Sequence, residues 1–364
     1  MKKVISVILA ILVVVSLTAC AGGNGGKDEA NEGKTHVVYV GGTRGDAGIA
    51  DATYEGFERA LKELPIYGEY IELPADKANY RATMLEACDT DAKLIFTSAG
   101  SGMIDVVIEL APKYPDKKFM VLDTPIDQEG IEGMDNFYGI LCAQNEVSYL
   151  TGYLARRMSK TGKIGVVVGV EYPVLCDFIT GYISGALAAD PNTKIAASAS
   201  GDWVDQGAAK ETALAQIRQG CDVIYCVGAA SSFGSLEACK EEGVWGIGCD
   251  TDLAAQFIGI DDEQADCIIT SAYKDWGQVS YDWIKACLEY IDSVPWGTVG
   301  LTGIAEGGCK IIQNEIYEKQ VPEEIKAEMN KLIEDIAAGR IECPTYFGMT
   351  EEEYVALKES VMVK

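Results

Sequence analysis

Glycines, hydroxyls and carboxylates recur in this chain wherever a short apolar run ends. They form Gly42-Thr43-Arg44-Gly45-Asp46, Ser98-Ala99-Gly100-Ser101-Gly102, Asp123-Thr124, Gly169, Gly201-Asp202-Trp203, Gly228-Ala229-Ala230-Ser231-Ser232 and Asp250-Thr251-Asp252. The chemistry such a set supports is recognition. A carboxylate such as Asp123 or Asp250 accepts hydrogen bonds from hydroxyl and N–H groups, the ammonium of Lys274 donates to them, and the indole of Trp203 offers a broad flat face. Together they suit a neutral, hydroxylated ligand held by directional hydrogen bonds. Stacking of a planar base on an aromatic ring is worth roughly 1–3 kcal/mol in nucleic-acid sites, which sets the scale for Trp203. If Asp250 and Lys274 meet in a closed cleft, each keeps the other charged. The same residues have plain structural readings: Asp123 and Asp250 as caps of the helices after their strands, Trp203 as loop packing, Lys274 as a surface lysine. Asp46 divides evenly between a loop residue and a ligand contact.

Catalytic chemistry is poorly supplied. The chain has no G-x-S-x-G elbow, no early run of aspartates of the kind a metal-dependent hydrolase uses, and a single histidine, His36. None of its twelve cysteines forms a C-x-x-C pair. No zinc site of the usual spacing is expected, and no cofactor or metal.

The elements that must position these residues alternate. Near-continuous apolar, strand-like runs fall at 37–41, 70–73, 94–98, 119–123, 164–169, 195–199, 223–228 and 245–250, with segments of helical period between them, for example 50–64, 147–158 and 208–219. Such alternation indicates parallel sheets covered on both faces by helices. The strands are too many for one compact Rossmann unit, so two lobes are expected, with a change of lobe near residues 123–145. A TIM barrel has the same alternation. In doubly wound sheets the ligand lies beyond the carboxyl ends of the strands, where the glycine, hydroxyl and carboxylate clusters stand.

The amino-terminal residues point outside the cytoplasm. Lys2 and Lys3 precede an apolar run, 4–17, of signal-peptide length, followed by Leu17-Thr18-Ala19-Cys20. That tetrapeptide looks like a bacterial lipobox, with Cys20 the lipidated new amino terminus. The segment 21–34, rich in glycine and charge, has the composition of a flexible tether. A formal net charge of −26 disfavours nucleic acid, which needs basic patches. The eleven cysteines beyond Cys20 are irregularly spaced and read as buried free thiols.

Over nearly the whole mature chain the sequence resembles the basic membrane protein (BMP) family of ABC-transporter lipoproteins, typified by purine nucleoside receptors of spirochaetes. The resemblance is carried by Asp46 and Gly48 before Glu55-Gly56-Phe57, by Ala111-Pro112-Lys113-Tyr114-Pro115-Asp116-Lys117-Lys118-Phe119 leading into Asp123, and by Tyr149-Leu150-Thr151-Gly152-Tyr153-Leu154-Ala155. It continues through Lys163-Ile164-Gly165, Phe178-Ile179-Thr180-Gly181-Tyr182 with Gly185, Gly201-Asp202-Trp203-Val204-Asp205, Ile247-Gly248-Cys249-Asp250-Thr251-Asp252 and Thr270-Ser271-Ala272-Tyr273-Lys274. Gly181 and Gly185 read as a helix face made for close packing.

The resemblance implies an α/β fold of two doubly wound Rossmann-like lobes joined by a three-crossover hinge, the type I periplasmic binding protein fold. The first lobe is expected over 36–142 plus about 254–297 and the second over 143–253 plus about 298–364, behind a signal peptide (1–19) and tether (20–35). It implies a lipid-anchored, extracytoplasmic, monomeric receptor, not an enzyme, that takes a nucleoside from solution and delivers it to an ABC permease. Ligand contacts fall to Asp46, Ile49, Asp123, Trp203, Gly228, Asp250 and Lys274. Asp123 would accept from base nitrogens, Trp203 would stack, and Asp250 and Lys274 would hold the ribose. Where nucleoside-binding relatives carry Phe-Asn, this chain has Ile49-Ala50. Ile49 can supply an apolar floor, and Tyr54 or Phe233 a ring from another direction. A sugar or another small polar metabolite is the alternative ligand class, and a secreted nucleoside hydrolase or a surface sensor a more distant one.

Overall fold

The computed structural model describes residues 31–363, except 47, 75, 99 and 100 and the side chain of Ser101. The expected signal peptide, Cys20 and most of the tether lie outside the described residues. In chain order the elements begin β1 (Thr35–Gly41), α1 (Ile49–Glu63), β2 (Ile66–Glu72), α2 (Tyr80–Asp89), β3 (Leu94–Thr97), α3 (Ser101–Leu110), β4 (Lys118–Leu122) and β5 (Phe137–Cys142). Next come α4 (Gln144–Met158), β6 (Lys163–Val168), α5 (Pro173–Ala189), β7 (Lys194–Ala199), α6 (Gln206–Arg218), β8 (Val223–Val227), α7 (Ser232–Glu242), β9 (Trp245–Asp250), α8 (Asp262–Cys267) and β10 (Ile268–Lys274). The chain closes with α9 (Trp276–Tyr290), β11 (Thr298–Thr302), β12 (Cys309–Ile311), α10 (Glu315–Gln320), α11 (Glu323–Ala337) and α12 (Glu351–Val361).

The strands form two sheets of the same design, ordered β11-β5-β4-β3-β1-β2 and β12-β10-β9-β8-β6-β7. Pairing is parallel throughout except for β12, which runs antiparallel to β10. Both sheets reverse direction of winding at their first strand, so each has its topological switch point between β1 and β3, or between β6 and β8. Side chains alternate between two cores. Val37 and Tyr39 pack into one and Val38 and Val40 into the other; in the second sheet Ile164, Val166 and Val168 face one core and Val167 the other. A strand buried on both faces has no polar side, which is why these runs read as continuously apolar.

Three crossovers join the lobes: β5 to α4, β10 to α9 and β11 to β12. They are laced together by Ala143 N–H to the Thr302 carbonyl at 2.9 Å and Asp275 N–H to the Gly308 carbonyl at 2.9 Å. Two crossovers differ in place from the expectation. Strand β10 hydrogen-bonds to β9 in the second sheet, so 268–274 belong there rather than with the first lobe. Strand β11 pairs with β5 in the first sheet, so the last crossing follows Thr302 and not residue 297. Both strands hide their nature in the sequence: β10 ends in hydroxyls, a tyrosine and a lysine, and β11 is a half-exposed edge strand containing Gly300.

Each lobe packs a crossover helix on its first helix at very short range, α9 on α1 and α4 on α5. A Cβ at Gly56 would stand 2.2 Å from the Gly277 carbonyl oxygen, and Cβ atoms at Gly152, Gly181 and Gly185 would stand 1.9–2.3 Å from backbone oxygens of the facing helix. The carboxyl-terminal segment is pinned to the same helices. Buried Asp177 accepts from Gln144 Nε2 (2.7 Å), Thr345 Oγ1 (2.6 Å) and the Tyr346 N–H (2.8 Å). Thr350 and Glu353 form the capping box that opens α12. The eleven cysteines are free thiols, ten of them buried. Gly185→Ala forces α4 and α5 apart and is expected to lower the free energy of unfolding by about 1–3 kcal/mol, measured by urea denaturation.

Candidate functional site

Strands β4 and β9 are the fourth strands of their lobes, and each delivers an aspartate at its carboxyl end. Asp123 (φ 61°) and Asp250 (φ 64°) both adopt left-handed backbone; with Ala229 (φ 48°), just past β8, they are the non-glycine residues in that region among those described. Such conformations cost about 1–3 kcal/mol each and persist only where surroundings enforce them. Here the surroundings are a cation. Lys274 Nζ lies 3.4 Å from Asp123 Oδ1 and 3.4 Å from Asp250 Oδ1, and the residue is only 4% exposed. Register explains its approach to Asp250, which pairs with Tyr273, the residue preceding Lys274. Asp123 comes from the other lobe, so a single ammonium ties one carboxylate of each sheet together.

Burial alone would pull the Lys274 ammonium down; the charges of Asp123 and Asp250 reverse this and hold it well above the usual lysine value. The faces of Phe178 and Trp276, with ring centroids 5.0 and 5.1 Å from Nζ, add cation–π contacts. Lys274 is therefore no surface lysine. Nor are the two aspartates helix caps: α8 is capped by Asp261, and the next helix after Asp123, α4, begins at Gln144.

Trp203 is half-buried in the loop after β7, close enough to Gly169 that a Cβ there would stand 2.6 Å from its Cε3. The Trp203 carbonyl accepts from the Ser231 N–H at 2.9 Å, and Ser231 Oγ donates to the Gly228 carbonyl at 2.7 Å. Gly228 also donates its N–H to Ser232 Oγ at 2.8 Å. The loops after β6, β7 and β8 are thus one hydrogen-bonded unit. Asp46 folds the loop after β1: its carboxylate accepts from the N–H groups of Gly48 (2.9 Å), Ala50 (3.1 Å) and Asp51 (3.2 Å) at the start of α1. Ile49 is the first residue of that helix and packs half-buried against the core.

The two aromatic residues considered as replacements for the missing ring are engaged elsewhere. Tyr54 donates to Glu58 at 2.8 Å and stands edge-on to Tyr70; Phe233 stands edge-on to Phe257 in the second-lobe core. The ring beside Asp123 is instead Tyr172, whose hydroxyl donates to Asp123 Oδ2 at 3.3 Å and whose ring meets Trp203 edge-on at 6.1 Å. In the sequence the strand-like run ends at Gly169, three residues short of Tyr172. The available signal was an aromatic directly before Pro173, which fixes it at a helix start.

A family described as ABC transporter substrate-binding protein, PnrA-like (Bmp), matches residues 34–342. The chain belongs to this family. Basic membrane protein D of Borreliella burgdorferi is 28% identical over 353 residues, 96% of this chain and 98% of that one. The ABC transporter nucleoside-binding protein BmpA of Lactococcus lactis is 26% identical over 361 residues, 94% and 99% of the two chains. Among solved structures, an ABC transporter solute-binding protein of Aeropyrum pernix superposes with a TM-score of 0.73 at 23% identity, covering 90% of this chain and 98% of that one. An arabinose-binding protein of Geobacillus stearothermophilus superposes at 0.61 and 15% identity over 79% of this chain and all of its own. As a Bmp-family substrate-binding protein, the chain has the two-lobed α/β fold of solute-binding proteins, and the Lys274 cluster stands where the carboxyl ends of both sheets meet. No helix among the described residues is long and apolar enough to cross a membrane.

Replacing Lys274 by Met leaves two carboxylates, buried Asp123 and half-buried Asp250, without a cation. The variant is expected to lose about 3–5 kcal/mol of stability at pH 8. Urea denaturation at pH 8 checks the statement.

Proposed function

We propose that this family member is a lipid-anchored, extracytoplasmic receptor that captures a nucleoside, preferentially a purine nucleoside, between its lobes and hands it to an ABC permease. The observation that carries the reading is the convergence of one carboxylate from each lobe on the buried Lys274 ammonium, linked through Tyr172 to a half-buried indole. Asp123 accepts from base N–H groups, Trp203 stacks on the base, and Asp250 and Lys274 engage the ribose hydroxyls, a division of labour that follows donor and acceptor chemistry. Ile49 provides an apolar floor, the Gly228 loop braces the Trp203 loop through the Ser231 N–H, and Asp46 serves through the loop it folds. Lipidation at Cys20 fixes the protein to the outer face of the membrane. The cluster binds and does no chemistry on its ligand: its one cation neutralises carboxylates, and its carboxylates are spent on orientation. The Lactococcus relative, described as nucleoside-binding, supports the ligand class.

A pentose is the second reading, favoured by Ile49-Ala50 in place of an aromatic–amide pair, because a sugar needs the carboxylates and the ammonium but no sandwich of rings.

The test is a thermal-shift screen of ligand-stripped protein from residue 35 onward. At a hundredfold excess over Kd a ligand that binds only the folded state adds about 2.7 kcal/mol of stability. The expected result is a saturable shift with guanosine, inosine or adenosine that disappears in Trp203→Ala and Asp250→Ala. With two carboxylates and one ammonium the cluster is net negative, so the matching 5′-monophosphates are expected to bind at least about a hundredfold more weakly. A shift with arabinose or ribose and none with nucleosides selects the pentose reading. Hydrolysis of the bound nucleoside overturns the receptor reading altogether.

A further inference from the structure

We propose that Tyr172 is a positioning residue and interlobe latch: its hydroxyl, carried by the second lobe, orients the first-lobe carboxylate of Asp123 for ligand and holds the closed form together. The inference rests on the ligand-binding reading above.

Four features of the geometry support it. First, Tyr172 is mounted rigidly. It stands at the N-cap of α5, with Pro173 as the first helical residue and its own carbonyl accepting the Cys176 N–H at 2.9 Å. Its ring is braced edge-on against Trp203, which in turn packs over Gly169. The phenol is thus fixed to the loops of the second lobe before it reaches anything in the first.

Second, what it reaches is the carboxylate that carries the interlobe ion pair. Asp123 has Lys274 Nζ at 3.4 Å on Oδ1 and the Tyr172 hydroxyl at 3.3 Å on Oδ2. One donor on each oxygen fixes the plane of the carboxylate and leaves on each oxygen a lone pair for a ligand donor. Asp123 needs this hold, because its left-handed backbone (φ 61°) gives it no help from regular strand geometry.

Third, the residue that makes the contact is not itself part of a crossover. Lys274 also pairs with Asp123, but it ends β10 and so lies at the second crossover; its ion pair can survive a hinge rotation about that point. Tyr172 begins α5, outside all three crossovers, so its bond to Asp123 breaks as the lobes separate. Such a bond belongs to the closed form alone and acts on the rate of ligand escape rather than on encounter.

Fourth, the phenol stays a donor. Burial, reinforced by the neighbouring Asp123 carboxylate, pushes it well above the usual tyrosine value, so the latch does not switch with pH in the physiological range.

The test compares the wild type with Tyr172→Phe, which keeps the ring against Trp203 and deletes only the hydroxyl. Two measurements are made: the radius of gyration of the ligand-free proteins by small-angle X-ray scattering, and the association and dissociation rates of guanosine and inosine by stopped-flow fluorescence. The expected result is a larger mean radius of gyration for the variant and a dissociation rate raised roughly tenfold, as loss of one hydrogen bond to a carboxylate implies. The association rate and the melting temperature stay close to wild type, a pattern that a purely structural role would not give. An unchanged radius of gyration overturns the latch. Tighter nucleoside binding by the variant also overturns it, since the hydroxyl would then be competing with ligand for Asp123. If the wild type binds neither nucleoside, the ligand reading fails, and the scattering comparison still decides the latch.

Discussion

One buried cation organises this molecule. Lys274 is the last residue of the fifth strand of the second sheet, and a lysine there is tolerable only because a carboxylate from each lobe meets it. Taking the three charges out of water is costly, and their mutual attraction repays that cost only with good geometry. The geometry is enforced at both ends: Asp123 and Asp250 each leave their strand with a positive φ, and the fourth strands that carry them occupy corresponding places in two sheets of the same order. The near-equivalence of the lobes is therefore what brings two aspartates to one point. The second crossover, which starts directly after Lys274, supplies the charge between them.

The rest of the structure is arranged so that this point can be rigid on each side and mobile across. Within each lobe a crossover helix lies against the first helix with glycines at the contact, α9 on α1 and α4 on α5, which stiffens each lobe. Between the lobes only three short crossovers carry the chain. A substrate-binding protein must close on its ligand and release it, and two stiff lobes that share one ion cluster at the hinge are a physical means of doing both. In the proposed binding mode, ligand hydroxyl and N–H groups would meet carboxylates that are already oriented.

Much of this was legible in the sequence, for reasons that differ by residue. Inner strands such as Leu94–Thr97 and Val223–Val227 announce themselves because both their faces are buried, whereas β5, equally buried, is absent from the strand-like runs read in the sequence. Asp123, Trp203, Asp250 and Lys274 stand out in the sequence because they lie at or near strand ends, where ligands of this class of fold sit, and because the family pattern surrounds them. Strand β10 was missed because Thr270, Ser271 and Lys274 break its apolar run, although they are buried; the ion pair that makes Lys274 acceptable inside is invisible in a linear pattern. Strand β11 was missed because an edge strand with Gly300 and exposed Leu301 resembles a loop. Asp46 looked equally like a ligand contact and a loop residue, and only the three backbone N–H groups on its carboxylate show how the loop is folded. Tyr172 escaped notice because an aromatic before a proline is common in any loop, and its partner lies 49 residues away in sequence, in the other lobe.

The central claim is that Asp123 and Asp250 act as one unit through the cation they share. It is tested most directly by the free energies of unfolding of Asp123→Asn, Asp250→Asn and the double variant, measured by urea denaturation of the ligand-free protein at neutral pH. Either single change leaves Lys274 one carboxylate; the double change leaves it none. The account expects the double variant to lose more than the sum of the singles, by about 1–3 kcal/mol. Additive losses would contradict it, because two aspartates that do not depend on a common cation have no reason to be coupled across the lobes.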